Sequence, residues 1–129
     1  MQIVPFHSKY FDQIITMCEE EGWTNLVHKR NDLLEAFQSS SIAFLLLDGE
    51  QVIGYIRGVT DTKISTFIAE LLIKKDHRQK GLGTKLLKYV HDQYPETRME
   101  LLASSTSKDY YEEKDFRPFN GYRKTYIEW

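Results

Sequence analysis

A single cysteine, Cys18, stands among 129 residues, so the chain cannot close a disulfide on itself. That excludes a small secreted scaffold stapled by bridges, and a lone thiol fits the reducing cytoplasm, where the chain is expected to work. Neither CxxC nor HExxH occurs, and His7, His28, His77 and His91 share no ligand-like spacing, so no metal is expected. The longest apolar runs, such as residues 42–47, fall far short of the ~20 residues that cross a bilayer. The first seven residues lack a basic head followed by an apolar stretch, which argues against a signal peptide. No repeat, low-complexity tract or Pro/Gly/Ser-rich linker divides the chain, and its length fits one domain over residues 1–129. Net charge is scarce too: 17 basic against 19 acidic side chains leave −2. Nothing global therefore pulls the chain toward nucleic acid or an anionic membrane.

What the chain does contain is a succession of short strands and amphipathic helices. Ile3-Val4 reads as a short first strand ended at Pro5. Ser8 is a candidate cap for a helix on which Phe11, Ile14, Ile15 and Cys18 recur at helical spacing, with Gly22 closing it. Asn31 or Asp32 opens a second helix carrying Leu33, Leu34 and Phe37, and Gly22-Trp23-Thr24-Asn25 lies between the two. Residues 42–47 and 52–59 are two strands around Asp48-Gly49-Glu50, a strong hairpin signal. A third long strand covers 64–74. A helix with Leu82, Leu86, Leu87 and Val90 on one face follows, and then a strand at 99–103. Residues 108–114 predict a short helix and 122–129 a terminal strand. Antiparallel strands followed by a β-α-β crossover predict an α/β fold, a mixed sheet with helices on both faces.

The crossover helix begins at Arg78-Gln79-Lys80-Gly81-Leu82-Gly83-Thr84. Glycines at 81 and 83 remove side chains that would hold a ligand away from the backbone. Amides exposed at a helix start donate to phosphate, aided by the helix dipole. Lys74, Lys75, His77, Arg78, Lys80 and Lys85 gather around this turn although the chain is net acidic. A dinucleotide GxGxxG would need glycine at 86, where Leu86 stands; a P-loop fails because Arg78 and Thr84 occupy its first glycine and its lysine. The turn is a phosphate site of another kind, or else a loop with a solvated basic face.

The stretch Leu71-Leu72-Ile73-Lys74-Lys75-Asp76-His77-Arg78-Gln79-Lys80-Gly81-Leu82-Gly83-Thr84 resembles the signature of the GCN5-related N-acetyltransferases (GNAT), roughly L-x-V-x-P-x-x-[QR]-x-x-G-x-[GA]. Ile73 replaces the valine and Lys75 the proline. The element order along the whole length is similar as well. The resemblance implies a split sheet of six to seven strands, parting between the strand that ends near Ile73 and the one that starts near Met99. It implies that acetyl-CoA binds as co-substrate, its pantetheine arm on the backbone of Leu71, Leu72 and Ile73. Its pyrophosphate would sit on the turn, from Arg78 and Gln79 through Lys80, Gly81, Leu82 and Gly83 to Thr84. The implied activity is acetyl transfer to an amine. Expected partners are thus acetyl-CoA and an amine acceptor, with neither nucleic acid nor membrane, and a homodimer is compatible with the fold.

A second segment, Tyr110-Tyr111-Glu112-Glu113-Lys114-Asp115-Phe116, resembles the family's F-Y-E-K-x-G-F stretch. Tyr111 lies five residues before Phe116, as the family's general-acid tyrosine does, and Tyr110 takes the place of the preceding aromatic. Successive helical residues diverge by about 100°, so both cannot face one sulfur. Tyr111 is the expected proton donor; packing is the alternative for both rings. Asp115 stands where glycine is usual, and Ser104 where many members carry asparagine. Glu70 interrupts the apolar run 68–73, and a carboxylate buried there requires a partner or a proton. It is either the general base or the partner of a buried arginine such as Arg57. The family often uses a glutamate on this strand, commonly through water. Glu100 is the reserve. Trp23 lines an acceptor pocket or plugs the core, and Cys18 reads as a small core residue. The alternative function is a non-catalytic acyl-CoA sensor or interaction module on the same fold, from which Tyr111 would distinguish an enzyme.

Overall fold

The apolar spacing along the chain resolves into one mixed sheet with helices on both faces, described for residues 1–129 by a computed structural model. Its strands, β1 (Gln2–Pro5), β2 (Ile42–Asp48), β3 (Gln51–Thr60), β4 (Ser65–Ile73) and β5 (Arg98–Leu101), lie side by side in chain order. The first four run antiparallel, and β5 joins β4 in parallel after the crossover. The hairpin at Asp48 forms as its sequence predicts, with Asp48 opposite Gln51.

One face carries α1 (Phe11–Glu21), α2 (Thr24–His28) and α3 (Arg30–Ser39), whose Ile14, Cys18 and Phe37 pack on Leu45, Tyr55 and Leu72. The other carries α4 (Leu82–Gln93), whose Leu86, Leu87 and Val90 pack on Leu46, Ile53, Ile56 and Ile68. Each aliphatic side chain removed from water here contributes about 2 kcal/mol. A short α5 (Lys108–Glu113) leans on the α4 side through Tyr110 and Tyr111.

The helix expected to be capped by Ser8 starts later: Ser8–Tyr10 is a 3-10 turn, because the His7 imidazole Nδ1 accepts from the amide of Lys9 at 3.0 Å. α3 opens at Arg30, just ahead of Asn31, and the segment between the first two helices contains α2. The expected count of six to seven strands is corrected to five. Residues 122–129 form no strand, since the Glu128 carboxylate accepts from both the amide and the hydroxyl of Thr125 and closes a 3-10 turn over Tyr126–Glu128. A side chain that satisfies nearby backbone competes directly with a sheet ladder.

The feature that prepares a site is in β4. Arg57 pairs with Glu70 but Gly58 with Ile68, so Ala69 is an extra residue, a β-bulge. Pairing with β5 stops at the same point, at Ile68 opposite Leu101. Beyond it β4 continues to Ile73 with no neighbour on that side, and the sheet is split. The bulge also reverses the alternation of faces. Ile68 faces α4, whereas Leu72 faces α1 and Ile73 faces α4.

Candidate active site

β4 leads from the split into a 3-10 turn at Lys75–His77 and then into the glycine turn. Gln79 and Gly81 both adopt left-handed backbone, at φ 64° and 76°. The first hydrogen bond of α4 runs from the amide of Lys85 to the carbonyl of Gly81 at 3.0 Å. The amides of Gln79, Lys80, Gly81, Leu82, Gly83 and Thr84 therefore have no acceptor within the protein. Such a run of N–H groups at the positive end of a helix dipole fits a phosphate group.

Gly81 and Gly83 are glycines for different reasons. Gly81 supplies the positive φ of the turn. At Gly83 a Cβ would lie 2.9 Å from the Tyr110 hydroxyl and 3.7 Å from the Leu71 side chain, so its bareness lets α5 approach α4. The Tyr110 hydroxyl lies 3.0 Å from Thr84 Oγ1. Arg78 turns inward: its Nε donates to the Ile73 carbonyl at 2.8 Å, and its guanidinium pairs with Glu21 of α1. Its side chain fastens the turn to β4 and α1. Beyond Ile68 the backbone of β4 turns alternately to β3 and to the split. The Lys74 amide donates to the Ile53 carbonyl at 2.9 Å, so Leu72 belongs to the β3 ladder, the contact expected there is corrected, and Leu71 and Ile73 face the split. Lys75, Lys80 and Lys85 are exposed around the turn.

Tyr111 is half-buried, packed edge-on against Tyr110 and Phe116 with ring centroids 5.1 and 5.5 Å away. Burial, and secondarily the neighbouring Tyr110, pushes its phenol from 10.0 up to about 12. Asp115, which replaces the glycine of the family pattern, adopts the φ of 67° that such a glycine would supply. Aspartate is among the few residues that tolerate it. Ser104 lies in an exposed hydroxyl cluster with Thr106 and Ser107 at the start of α5.

Glu70 lies on the α1 side, engaged by Arg57: Nε donates to one carboxylate oxygen at 2.8 Å and Nη2 to the other. The two side chains are 10 % and 16 % exposed. Arg57 also donates to Ser40 Oγ at 3.3 Å, and the pairing with Glu70 raises its already high pKa. Beside them the Tyr55 hydroxyl, fully buried, meets Cys18 Sγ at 3.6 Å. Burial first, and Glu70 second, holds the Tyr55 phenol well above its usual range. The structure thus brings Tyr110 to the glycine turn and keeps Glu70 on the opposite face of the sheet. The reserve Glu100 is exposed, 3.7 Å from Arg98. Trp23 is half-buried against the α1-side core.

A family model described as an acetyltransferase (GNAT) domain matches residues 11–125. The chain belongs to the GNAT acetyltransferase family. No curated protein sequence matches it. Among solved structures it is similar to the GNAT family acetyltransferase SP0256 of Streptococcus pneumoniae, at 23 % identity and a TM-score of 0.79, over 96 % of this chain and 95 % of that one. The PaiA N-acetyltransferase of Thermoplasma acidophilum, solved with coenzyme A, shares 14 % identity at a TM-score of 0.71, over 88 % and 87 % of the two chains. An aminoglycoside 6'-N-acetyltransferase in complex with coenzyme A matches at 17 % and 0.66, over 78 % and 61 %. At these identities the likeness is one of fold.

Two parts of this GNAT domain escaped the sequence reading. The bulge at Ala69 was signalled by Gly58, since glycine inside a strand marks a bulge or close backbone approach. Here a Cβ on Gly58 would fall 2.3 Å from the Phe67 carbonyl oxygen. The Thr84–Tyr110 bond joins residues 26 apart, and no local pattern announces it.

Proposed function

We propose that the chain is a single-domain N-acetyltransferase over residues 1–129, moving the acetyl group of acetyl-CoA to an amine of a small molecule or protein. One observation carries this reading: six consecutive amides, 79–84, lack acceptors beside a gap in the sheet. Pyrophosphate oxygens would satisfy those amides, and the split edge of β4 at Leu71 and the Ile73 amide would receive the amide groups of a pantetheine arm. The Ile73 carbonyl, already held by Arg78, is less open to it. Lys75, Lys80 and Lys85 add positive charge around the phosphates. The two CoA-bound relatives support this ligand.

Tyr111 is the proposed hydrogen-bond donor to sulfur. Over the whole step a C–N bond forms, the C–S bond breaks, and one proton passes from nitrogen to sulfur. A phenol held at about 12 is too weak an acid to protonate outright a thiolate whose own pKa is about 8.5. Its role is then to donate a hydrogen bond as charge grows on sulfur, and to pass a proton on as it receives another. Glu70 is the proposed base, acting through water; its double engagement by Arg57 equally suits a structural part, and pH separates the two.

The test is thiol release from acetyl-CoA across a panel of amines. Tyr111→Phe is expected to lower kcat about 100-fold with acetyl-CoA affinity unchanged. Glu70→Gln is expected to lose turnover at low pH and recover it as the amine deprotonates unaided, whereas a loss that ignores pH assigns Glu70 to structure. Tight acetyl-CoA binding without thiol release from any amine would give the sensor reading.

A further inference from the structure

We propose that Tyr110 is a ligand-binding residue, its hydroxyl acting with that of Thr84 as a side-chain extension of the anion site. The inference rests on the glycine turn being the pyrophosphate site. Tyr110 Oη lies 3.0 Å from Thr84 Oγ1 and 2.9 Å from where a Cβ of Gly83 would stand. It is thus seated over two residues whose own amides lack acceptors. Two hydroxyls carry two protons. One is used between them, which leaves one to donate outward.

Two further contacts fix the ring. Tyr111 packs on it edge-on at 5.1 Å, and Lys114 Nζ lies 5.7 Å from its centroid, adding a cation to the same corner. The family pattern has phenylalanine at this position, so the hydroxyl is a property of this chain's sequence rather than of the shared motif. The atom of Tyr110 nearest the turn is the hydroxyl oxygen, with the ring carbon that carries it farther off at 3.6 Å from the Cβ position of Gly83, so it is the polar end of the side chain that meets the glycine turn. The ligand chemistry selected is an acyl carrier bearing a pyrophosphate, over a short acyl thioester without one.

The experiment measures the affinities of CoA, inorganic pyrophosphate and acetyl-pantetheine for wild type, Tyr110→Phe and Thr84→Val. The expected result is a loss of about 10-fold or more for CoA and pyrophosphate, the scale of one hydrogen bond to a charged oxygen, with acetyl-pantetheine unaffected. Thr84→Val keeps the ring and gives the answer if Tyr110→Phe fails to fold. Unchanged CoA affinity, or equal loss on the phosphate-free substrate, overturns the proposal and leaves Tyr110 as a docking residue. Wild type that binds neither CoA nor pyrophosphate overturns the phosphate reading of the turn, and this inference with it.

Discussion

Glu70 is the residue at which sequence and structure bear most closely on each other. An acidic side chain inside an apolar strand needs a partner, and Arg57 was legible as one because it sits on the neighbouring strand of a hairpin-linked pair. The third member, Ser40, was not legible, since it comes from the end of α3 and its contact depends on how that helix packs. Removing one side of a pair this buried strands the other. Arg57→Ala is expected to cost about 3 kcal/mol in urea unfolding. Arg57→Met combined with Glu70→Leu should recover most of that loss, because neither charge is then left unpaired. Tyr111 gives a second residue-level expectation. Its phenol is raised from 10.0 to about 12 in the fold, so the folded state holds its proton where the unfolded chain has lost it. The stability it contributes is present below pH 10 and disappears as pH rises toward 12. The melting temperature of wild type should fall more steeply across that window than that of Tyr111→Phe, since Tyr55 titrates alike in both. Parallel curves would show that the phenol is not held in the environment described.

Among the elements, those read from the longest periodic segments were legible: α1, α4 and the β2–β3 hairpin follow from apolar spacing and turn chemistry alone. The 3-10 turn at Tyr126–Glu128 was not, because the alternation over 122–129 that predicted a strand says nothing of the Glu128 carboxylate that folds back on Thr125. The bulge in β4 escaped for a related reason. Apart from Glu70 its residues from 68 to 73 are all apolar, so a reversal of faces leaves little trace in hydropathy. Gly58 is the physical lock for that reversal, with room for only a hydrogen where the Phe67 carbonyl passes. Gly58→Ala places a methyl against backbone rather than against the end of a flexible side chain. It is expected to destabilise by about 3 kcal/mol, at the upper end of overpacking costs, and to disturb the split at Ile68. Denaturant unfolding reads the first effect and acetyl-CoA affinity the second. A variant as stable as wild type would mean that the strands can separate there at little cost.

Across the whole molecule, the charge distribution opposes the average. A chain of net charge −2 collects lysines around one helix start and ends β4 beside them with no pairing strand on one side. The sequence showed both the basic cluster and the two glycines. It could not show that the amides were free, because that depends on no hydroxyl or carboxylate side chain turning back to cap the start of α4. A ligand spanning turn and split would contact α4 and β4 together, and so would bind the folded chain and not the unfolded one. At a concentration near 100 Kd, mass action gives about 2.7 kcal/mol of added stability. For a domain of this size that corresponds to roughly 10 °C in melting temperature. Acetyl-CoA should produce this shift in a thermal melt, and inorganic pyrophosphate a smaller one that disappears at high salt as the lysine contribution is screened. NAD should produce none, because the turn lacks the third glycine of a dinucleotide site. A shift with NAD and none with acetyl-CoA would move the phosphate site to other chemistry, whatever the fold.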